Sequence, residues 1–325
     1  MRIFIKKMVF SLLFLILSAF NKYWGFYGHQ KISRLAVFTL PVEMIGFYKH
    51  NIRYLTENAV NPDKRRYAVE GEASRHFIDV DVYGDSAVYT MPRYWQDAVE
   101  KYTEDTLKAY GIVPWHVYRM KGWLTDAMRI RDGKSILRLS AEIGHYIADA
   151  NVPLHTTENY NGQLTGQRGI HGLWESRLSE LFSEDYDFFV GRAEYLDNAQ
   201  LAIWEGVVHA HEALDSVLSM EIMASEKLKE DKKYSFETRG SATIKVYSRE
   251  FSEEYHQMLD GMVERQMRRA VKMVGDFWYT CWVDAGQPDL ESVIDVEFTE
   301  EELNAMKEEL KQWKEKRYSS RQHDN

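Results

Sequence analysis

The sequence predicts an all-α protein built as a single multi-helix domain. Three apolar patterns with helical spacing run over residues 136–147, 199–220 and 247–281. No proline lies between Pro153 and Pro288, which permits long helices in that stretch. We find no alternating series of apolar and polar residues that would indicate strands. With 325 residues, 45% of them hydrophobic, one mostly helical domain is the simplest account.

The N-terminus has the pattern of an export signal. Three basic residues precede an apolar run over residues 8–20, which is too short to span a bilayer comfortably. We expect a signal peptide over residues 1–23, cleaved somewhere between 19 and 23, and a periplasmic or secreted bacterial protein; an uncleaved anchor is the alternative. The single cysteine, Cys281, excludes an internal disulfide.

After residue 23 the chain is expected to form helices joined by loops, with residues 24–299 as the main domain. Helices are predicted over 93–110 and 117–131, and a glycine- and asparagine-rich loop over 159–169. The stripe from Tyr247 to Cys281 predicts one long amphipathic helix, with Cys281 as a buried small hydrophobe. Residues 300–325 predict a highly charged helix and tail that packs weakly or frays.

The charge balance is acidic. The formal net charge is −9, and loss of residues 1–19, which carry three positive charges, shifts it to −12. The acidic residues are spread along the chain, so they indicate a solvated surface rather than an interaction tail. This balance argues against a basic nucleic-acid-binding domain.

Histidines and carboxylates recur with a spacing that suits a metal. His145 and Asp149 lie four residues apart on a predicted helix, as do His171 and Glu175, and His155 lies between the two pairs. Imidazole nitrogen and carboxylate oxygen are zinc ligands. One such pair alone is more often a surface or core feature, but two pairs with a third histidine predict a zinc site.

These residues belong to a longer series of motifs, spread over residues 24–180. The motifs, in order, are Trp24-Gly25-Phe26-Tyr27-Gly28-His29, Pro62-Asp63, His76-Phe77-Ile78-Asp79, His145-x3-Asp149-x3-Pro153-Leu154-His155 and His171-x3-Glu175. In content and order they resemble the zinc-dependent phospholipase C / S1–P1 nuclease superfamily.

The resemblance implies a helical fold around a cleft that holds three Zn²⁺ ions. His76, His145 and Asp149 would bind one ion of a close pair, with Asp149 bridging. Trp24, through its free α-amine and carbonyl, and His29 would bind the second ion. His155, His171 and Glu175 would bind the third.

The same resemblance leaves some roles open. Asp63 would be a zinc ligand, as in the nucleases, or the general base, as in the lipases. Arg66 is either a phosphate-binding residue or a solvated turn residue. Asp79 is expected to orient a ligand histidine rather than to bind metal itself. Trp24 is a buried aromatic residue if signal cleavage does not expose its amine.

The substrate class also stays open. Glu175 and the sixteen-residue interval from His155 to His171 favour phospholipase C-type cleavage of a phospholipid or small phosphodiester. The alternative is a nuclease acting on single-stranded DNA or RNA, and a further one is a non-catalytic zinc- or lipid-binding protein. We predict no stable protein partner and only transient contact with a lipid surface.

Overall fold

A computed structural model of the protein describes residues 26–239 and 242–315. Within them the chain is mostly helical, as predicted. The signal-peptide region and Trp24 lie outside the described residues, as does the end of the charged tail.

Of the described residues, those between 26 and 149 contain most of the predicted site and form nine helices. They are α1 (Phe26–Ala36), α2 (Val42–His50), α3 (Ile52–Asn58), α4 (Asn61–Arg65), α5 (Ala87–Thr90), α6 (Trp95–Tyr102), α7 (Glu104–Tyr110), α8 (Val113–Arg129) and α9 (Gly133–Asp149). The predicted helix over 93–110 is thus two helices, α6 and α7, and most of the predicted helix over 117–131 lies inside α8.

The residues described between 178 and 315 form seven helices and one hairpin. They are α10 (Leu178–Phe182), α11 (Ala199–Glu212), α12 (Leu214–Lys227), α13 (Glu230–Lys233), β1 (Tyr234–Arg239), β2 (Ala242–Tyr247), α14 (Arg249–Met258), α15 (Met262–Asp284) and α16 (Glu300–Glu315). The predicted loop over 159–169 is a series of turns.

Helix α9 lies at the centre of the core. Asp132 caps its N-terminus by accepting a hydrogen bond from the Ser135 amide, and every residue from Leu139 to Asp149 is buried. Gly144 faces Val274 and Trp278 of α15, and a Cβ at this position would be in ordinary van der Waals contact with Val274, at 3.5 Å. A helix buried on all sides has little freedom to shift, so its polar side chains are held firmly.

The prediction of one long helix from Tyr247 to Cys281 is wrong. Tyr247 ends β2, and the helical part is divided into α14 and α15. Asp260 and Gly261, between these two helices, both have positive φ angles of 46° and 71°. That conformation cannot continue a right-handed helix, although the apolar stripe runs on beyond it.

One short hairpin occurs that no pattern in the sequence indicated. β1 and β2 pair antiparallel, with Tyr234 opposite Tyr247 and Phe236 opposite Lys245. Each strand has only six residues, so the alternation between apolar and polar side chains is too short to stand out beside the helical patterns.

Two smaller predictions concern single elements. Cys281 is buried in the core, which confirms its interpretation as a small hydrophobe. Most of the charged C-terminal helix is exposed; its contacts with the rest of the protein include Trp313, which is 8% exposed, and an ion pair in which Lys134 binds both carboxylate oxygens of Glu302 at 2.7 Å. None of the helices in the described ranges is both long enough and apolar enough to cross a bilayer.

We expect His116 in α8 to make the protein sensitive to acid. Burial, reinforced by the charge of Arg75, lowers the pKa of His116 from 6.5 to about 3. Between these two values the unfolded chain binds a proton at this position and the folded chain does not, so stability falls as the pH falls.

Urea unfolding in the presence of a chelator, at pH 7 and pH 5, measures this effect. Between pH 7 and pH 5 the free energy of unfolding should fall by about 2 kcal/mol more in the wild-type protein than in the His116→Phe variant. This value follows from about 1.36 kcal/mol per pKa unit. Equal losses in the two proteins would remove His116 as the cause.

Candidate metal centre

Six short segments bring the predicted ligands to one buried place. The residues are His29 in α1, Asp63 in α4, His76 after the 3₁₀ turn Ala73–Arg75, His145 and Asp149 one turn apart in α9, His155 in the 3₁₀ turn Pro153–Thr156, and His171 and Glu175 in the helical segment that leads into α10. All of these side chains are buried except two that remain slightly accessible, Asp63 at 16% and Glu175 at 11%.

Their ligand atoms form three groups, each within 4.8 Å. The groups are His29 with His145 and Asp149, Asp63 with His76 and His145, and His155 with His171 and Glu175. His145 belongs to two of them. Buried clusters of imidazole and carboxylate with this composition can hold metal ions.

Asp149 connects the groups. Its Oδ2 lies 2.8 Å from His76 Nδ1 and 3.3 Å from His145 Nε2. Its Oδ1 lies 3.4 Å from His29 Nε2 and 3.6 Å from His155 Nδ1. A carboxylate that uses both oxygens in this way is suited to bridge two cations.

The group around Glu175 is equally tight. Glu175 Oε2 lies 2.7 Å from His171 Nε2 and 3.5 Å from His155 Nε2, and the two histidine nitrogens are 3.2 Å apart. Glu175 Oε1 lies 3.2 Å from His29 Nε2, so this group adjoins the group that contains Asp149. Glu175 lies in a π-helical stretch, Gly172–Arg177, a local irregularity often found at functional sites.

Three of the histidines are oriented by the main chain. The Nδ1 of His145 donates a hydrogen bond to the Ala59 carbonyl (2.9 Å), that of His155 to the His76 carbonyl (2.6 Å), and that of His171 to the Tyr160 carbonyl (3.1 Å). A carbonyl only accepts, so Nδ1 carries the proton when each ring is neutral, and Nε2 then acts as an acceptor. This is the arrangement by which proteins fix a histidine for metal binding.

The hydrogen bonds of His155 and His171 also indicate whether a metal ion would fit between these residues and Glu175. With protons on both Nδ1 atoms, the Nε2 lone pairs of His155 and His171 face each other and the carboxylate of Glu175. In that neutral state all of these atoms are acceptors, and a cation between them would interact favourably with each. Nitrogen and oxygen donors without thiolate suit Zn²⁺ and similar divalent transition metals.

The electrostatics keep the carboxylates charged. Burial alone raises the pKa of Asp149 and Glu175, but the surrounding histidines outweigh it and hold both pKa values well below the usual range. Burial likewise lowers the pKa of His29, whereas its hydrogen bond to Glu175 and the charge of Asp149 raise it, to about 9. The cluster therefore presents anionic oxygens that attract cations.

Sequence reasoning missed the carboxylate behind His76. The side chain of Glu72 is fully buried, and its Oε1 lies 3.8 Å from His76 Nε2, the nitrogen that faces away from Asp149. Arg65 and Arg75 pair with Glu72 at 3.2 and 2.7 Å, and Tyr146 donates a hydrogen bond to it. Glu72 and His76 are four residues apart, the same spacing that identified the other pairs.

Arg66 is not a solvated turn residue. It is 3% exposed, and its Nε and Nη1 have no hydrogen-bond partner among residues 26–239 and 242–315. Its charge acts on the cluster, since burial and Arg66 both lower the pKa of His76, against the stronger combined effect of the carboxylates. A buried guanidinium with free donors next to this cluster is positioned for an anionic ligand.

The remaining predicted residues lie apart from the three groups or outside the described chain. Asp79 is buried and belongs to none of the groups. Nothing is described of Trp24. A scan against protein-family models finds no match for the chain, and a search of curated proteins finds no match either.

Proposed function

We propose that the protein is an exported zinc-dependent hydrolase of phosphodiester bonds. The observation that carries the proposal is the convergence of the three buried ligand groups, joined through Asp149 and His145. The buried, unpartnered Arg66 beside them supports an anionic substrate. Export rests on the sequence of residues 1–23.

We assign the ligands of three Zn²⁺ ions to the three groups. His76, His145 and Asp149 would hold the first ion, with Asp63 beside it as the general base of the phospholipase C-type reaction, or as a further ligand in the nuclease alternative. His155, His171 and Glu175 would hold the third. His29 and Asp149 would hold the second, with the α-amine and carbonyl of Trp24 completing it once the signal peptide is removed.

The protein's own residues would then direct the reaction. Bound Zn²⁺ would supply a water of lowered pKa and neutralise charge on the phosphate oxygens. Asp63, the most exposed of the three carboxylates, is placed to orient the attacking water and to accept its proton. Arg66 would hold a non-bridging phosphate oxygen and so fix the phosphorus for in-line attack.

Within this class we favour phospholipase C-type cleavage, which releases a phosphorylated head group. Glu175 and the short interval between His155 and His171 are the features that favour it. The acidic net charge gives no general attraction to nucleic acid. A single-strand nuclease is the second candidate, because the motif Trp24-Gly25-Phe26-Tyr27-Gly28-His29 and the sequence around His76 resemble the nucleases.

A side-by-side assay tests the proposal. Purified mature protein should be given phosphatidylcholine, phosphatidylethanolamine, phosphatidylinositol and single-stranded DNA, each with and without a chelator. We expect chelator-sensitive release of a phosphorylated head group from at least one lipid. Cleavage of DNA alone would favour the nuclease, and no cleavage together with bound zinc would favour a non-catalytic zinc protein.

Replacement of Arg66 should weaken catalysis without loss of metal. We expect Arg66→Gln to lower kcat/KM by roughly tenfold to a hundredfold, because a hydrogen bond to a charged group contributes about 1.5–3 kcal/mol. Lys64→Gln is the matched control. It removes a nearby cation whose hydrogen bond is to Asn61, outside the ligand groups, and it should change kcat/KM little. Unchanged kcat/KM in Arg66→Gln would exclude Arg66 from substrate binding.

A further inference from the structure

A cavity of about 480 Å³ lies next to the metal centre, on the side of Glu72. It is bounded by the segment from α4 to His76, by α8 and α9, and by α16. Its lining residues are Arg65, Val69, Glu72, Arg75, His116, Met120, Trp123, Arg138, Leu139, Glu142 and Glu309. Glu72 separates it from His76, so the two sites share one wall and no ligand group. Its volume is within the range of small-molecule sites.

Among the described residues that line the cavity, one cation, Arg138, and one anion, Glu309, form no ion pair. Arg65 forms ion pairs with Glu142 at 2.7 Å and with Glu72 at 3.2 Å. Arg75 binds Glu72 through Nη1 alone. Arg138 is exposed and forms no ion pair with any residue in the ranges 26–239 and 242–315. A planar guanidinium with its donors unused suits a carboxylate or phosphonate group.

The part of the lining that α8 contributes suits a flat ring. Trp123 is 47% exposed, which is a large exposed fraction for an indole that also lines a cavity. His116 lies beside it, with ring centroids 6.3 Å apart, and its buried Nδ1 has no hydrogen-bond partner among the described residues. Met120 and Leu139 add buried apolar surface. An aromatic ring could stack on the indole, and a polar substituent would complete the hydrogen bonding of His116.

We propose that this cavity binds a small organic anion with a planar ring, which places its ring on Trp123 and its anionic group on Arg138. Three arginines and three glutamates line the cavity, so its formal charges balance. Four of the six pair with one another, and Arg138 and Glu309 remain outside these pairs. The anionic group of the ligand is assigned to Arg138. The inference does not depend on the proposed hydrolase activity.

Isothermal titration of the zinc-loaded full chain tests the inference. The probes are benzoate and phenylphosphonate, with benzamide as a neutral ring and inorganic phosphate as an anion without a ring. We expect the two aromatic anions to bind and the other two compounds to bind at least tenfold more weakly. Equal binding of benzamide, or no heat from the aromatic anions, would overturn the proposal.

Variants locate the binding. Trp123→Ala and Arg138→Gln both alter exposed side chains. Each should lower the affinity for benzoate and for phenylphosphonate at least tenfold. Tyr118→Ala, on the same helix as Trp123, and Arg53→Gln are matched controls that do not line the cavity and should leave affinity within twofold. Affinity that is unchanged in both cavity variants would assign the probes to the metal centre and contradict the proposal.

Discussion

The variant Asp149→Asn should lose both enzymatic activity and metal. We expect kcat/KM on a phosphodiester substrate to fall on the order of a thousandfold or more, since the charge that organises the site is removed. Bound zinc should fall from three ions per chain to about one, because the amide cannot bridge with two anionic oxygens. The group of His155, His171 and Glu175 has its own ligands and should keep its ion. Metal analysis and steady-state kinetics on the same preparation measure both effects.

A matched control separates this effect from misfolding. Asp276 is another buried aspartate, in α15, whose partners are Lys272 and the Glu194 amide rather than any ligand group. Asp276→Asn should retain three ions and the wild-type kcat/KM, with at most a loss of stability. If Asp149→Asn also retained its ions and its activity, Asp149 would have no part in the mechanism.

Removal of metal should destabilise the protein strongly. The ligands lie on segments from His29 to Glu175, so bound ions would cross-link α1, α4, α9 and the segment before α10. Metal at a thousandfold excess over its Kd stabilises a folded protein by about 4 kcal/mol per site. At roughly 2–4 °C per kcal/mol, loss of one such site alone would lower Tm by about 10 °C.

Thermal unfolding with and without a chelator measures this shift, and added Zn²⁺ should restore the original Tm. Asp149→Asn, which is expected to hold fewer ions, should respond less to the chelator than wild-type protein. The three-ion assignment would be contradicted if the chelator left Tm unchanged and the untreated protein held less than one ion per chain.

Much of the site could be predicted from local spacing. His145 and Asp149 are one helical turn apart, and so are His171 and Glu175, and both pairs lie in helical segments as expected. This works because the geometry of a helix turn is the same wherever the helix lies in the fold. The same rule applied to Glu72 and His76 would have revealed the buried carboxylate, but the turn around Ala73–Arg75 is not a regular helix and its sequence carries no helical stripe.

The sequence by itself determined the helical character of the protein, the segments that carry imidazole and carboxylate, and their order. Only the tertiary structure decided that six separate segments converge, that main-chain carbonyls orient three histidines, and that Arg66 is buried rather than solvated. It also decided the break at Asp260 and Gly261. Periodicity reports which face of a segment is apolar, but the partner of that face depends on contacts between residues far apart in the chain, which no local pattern records.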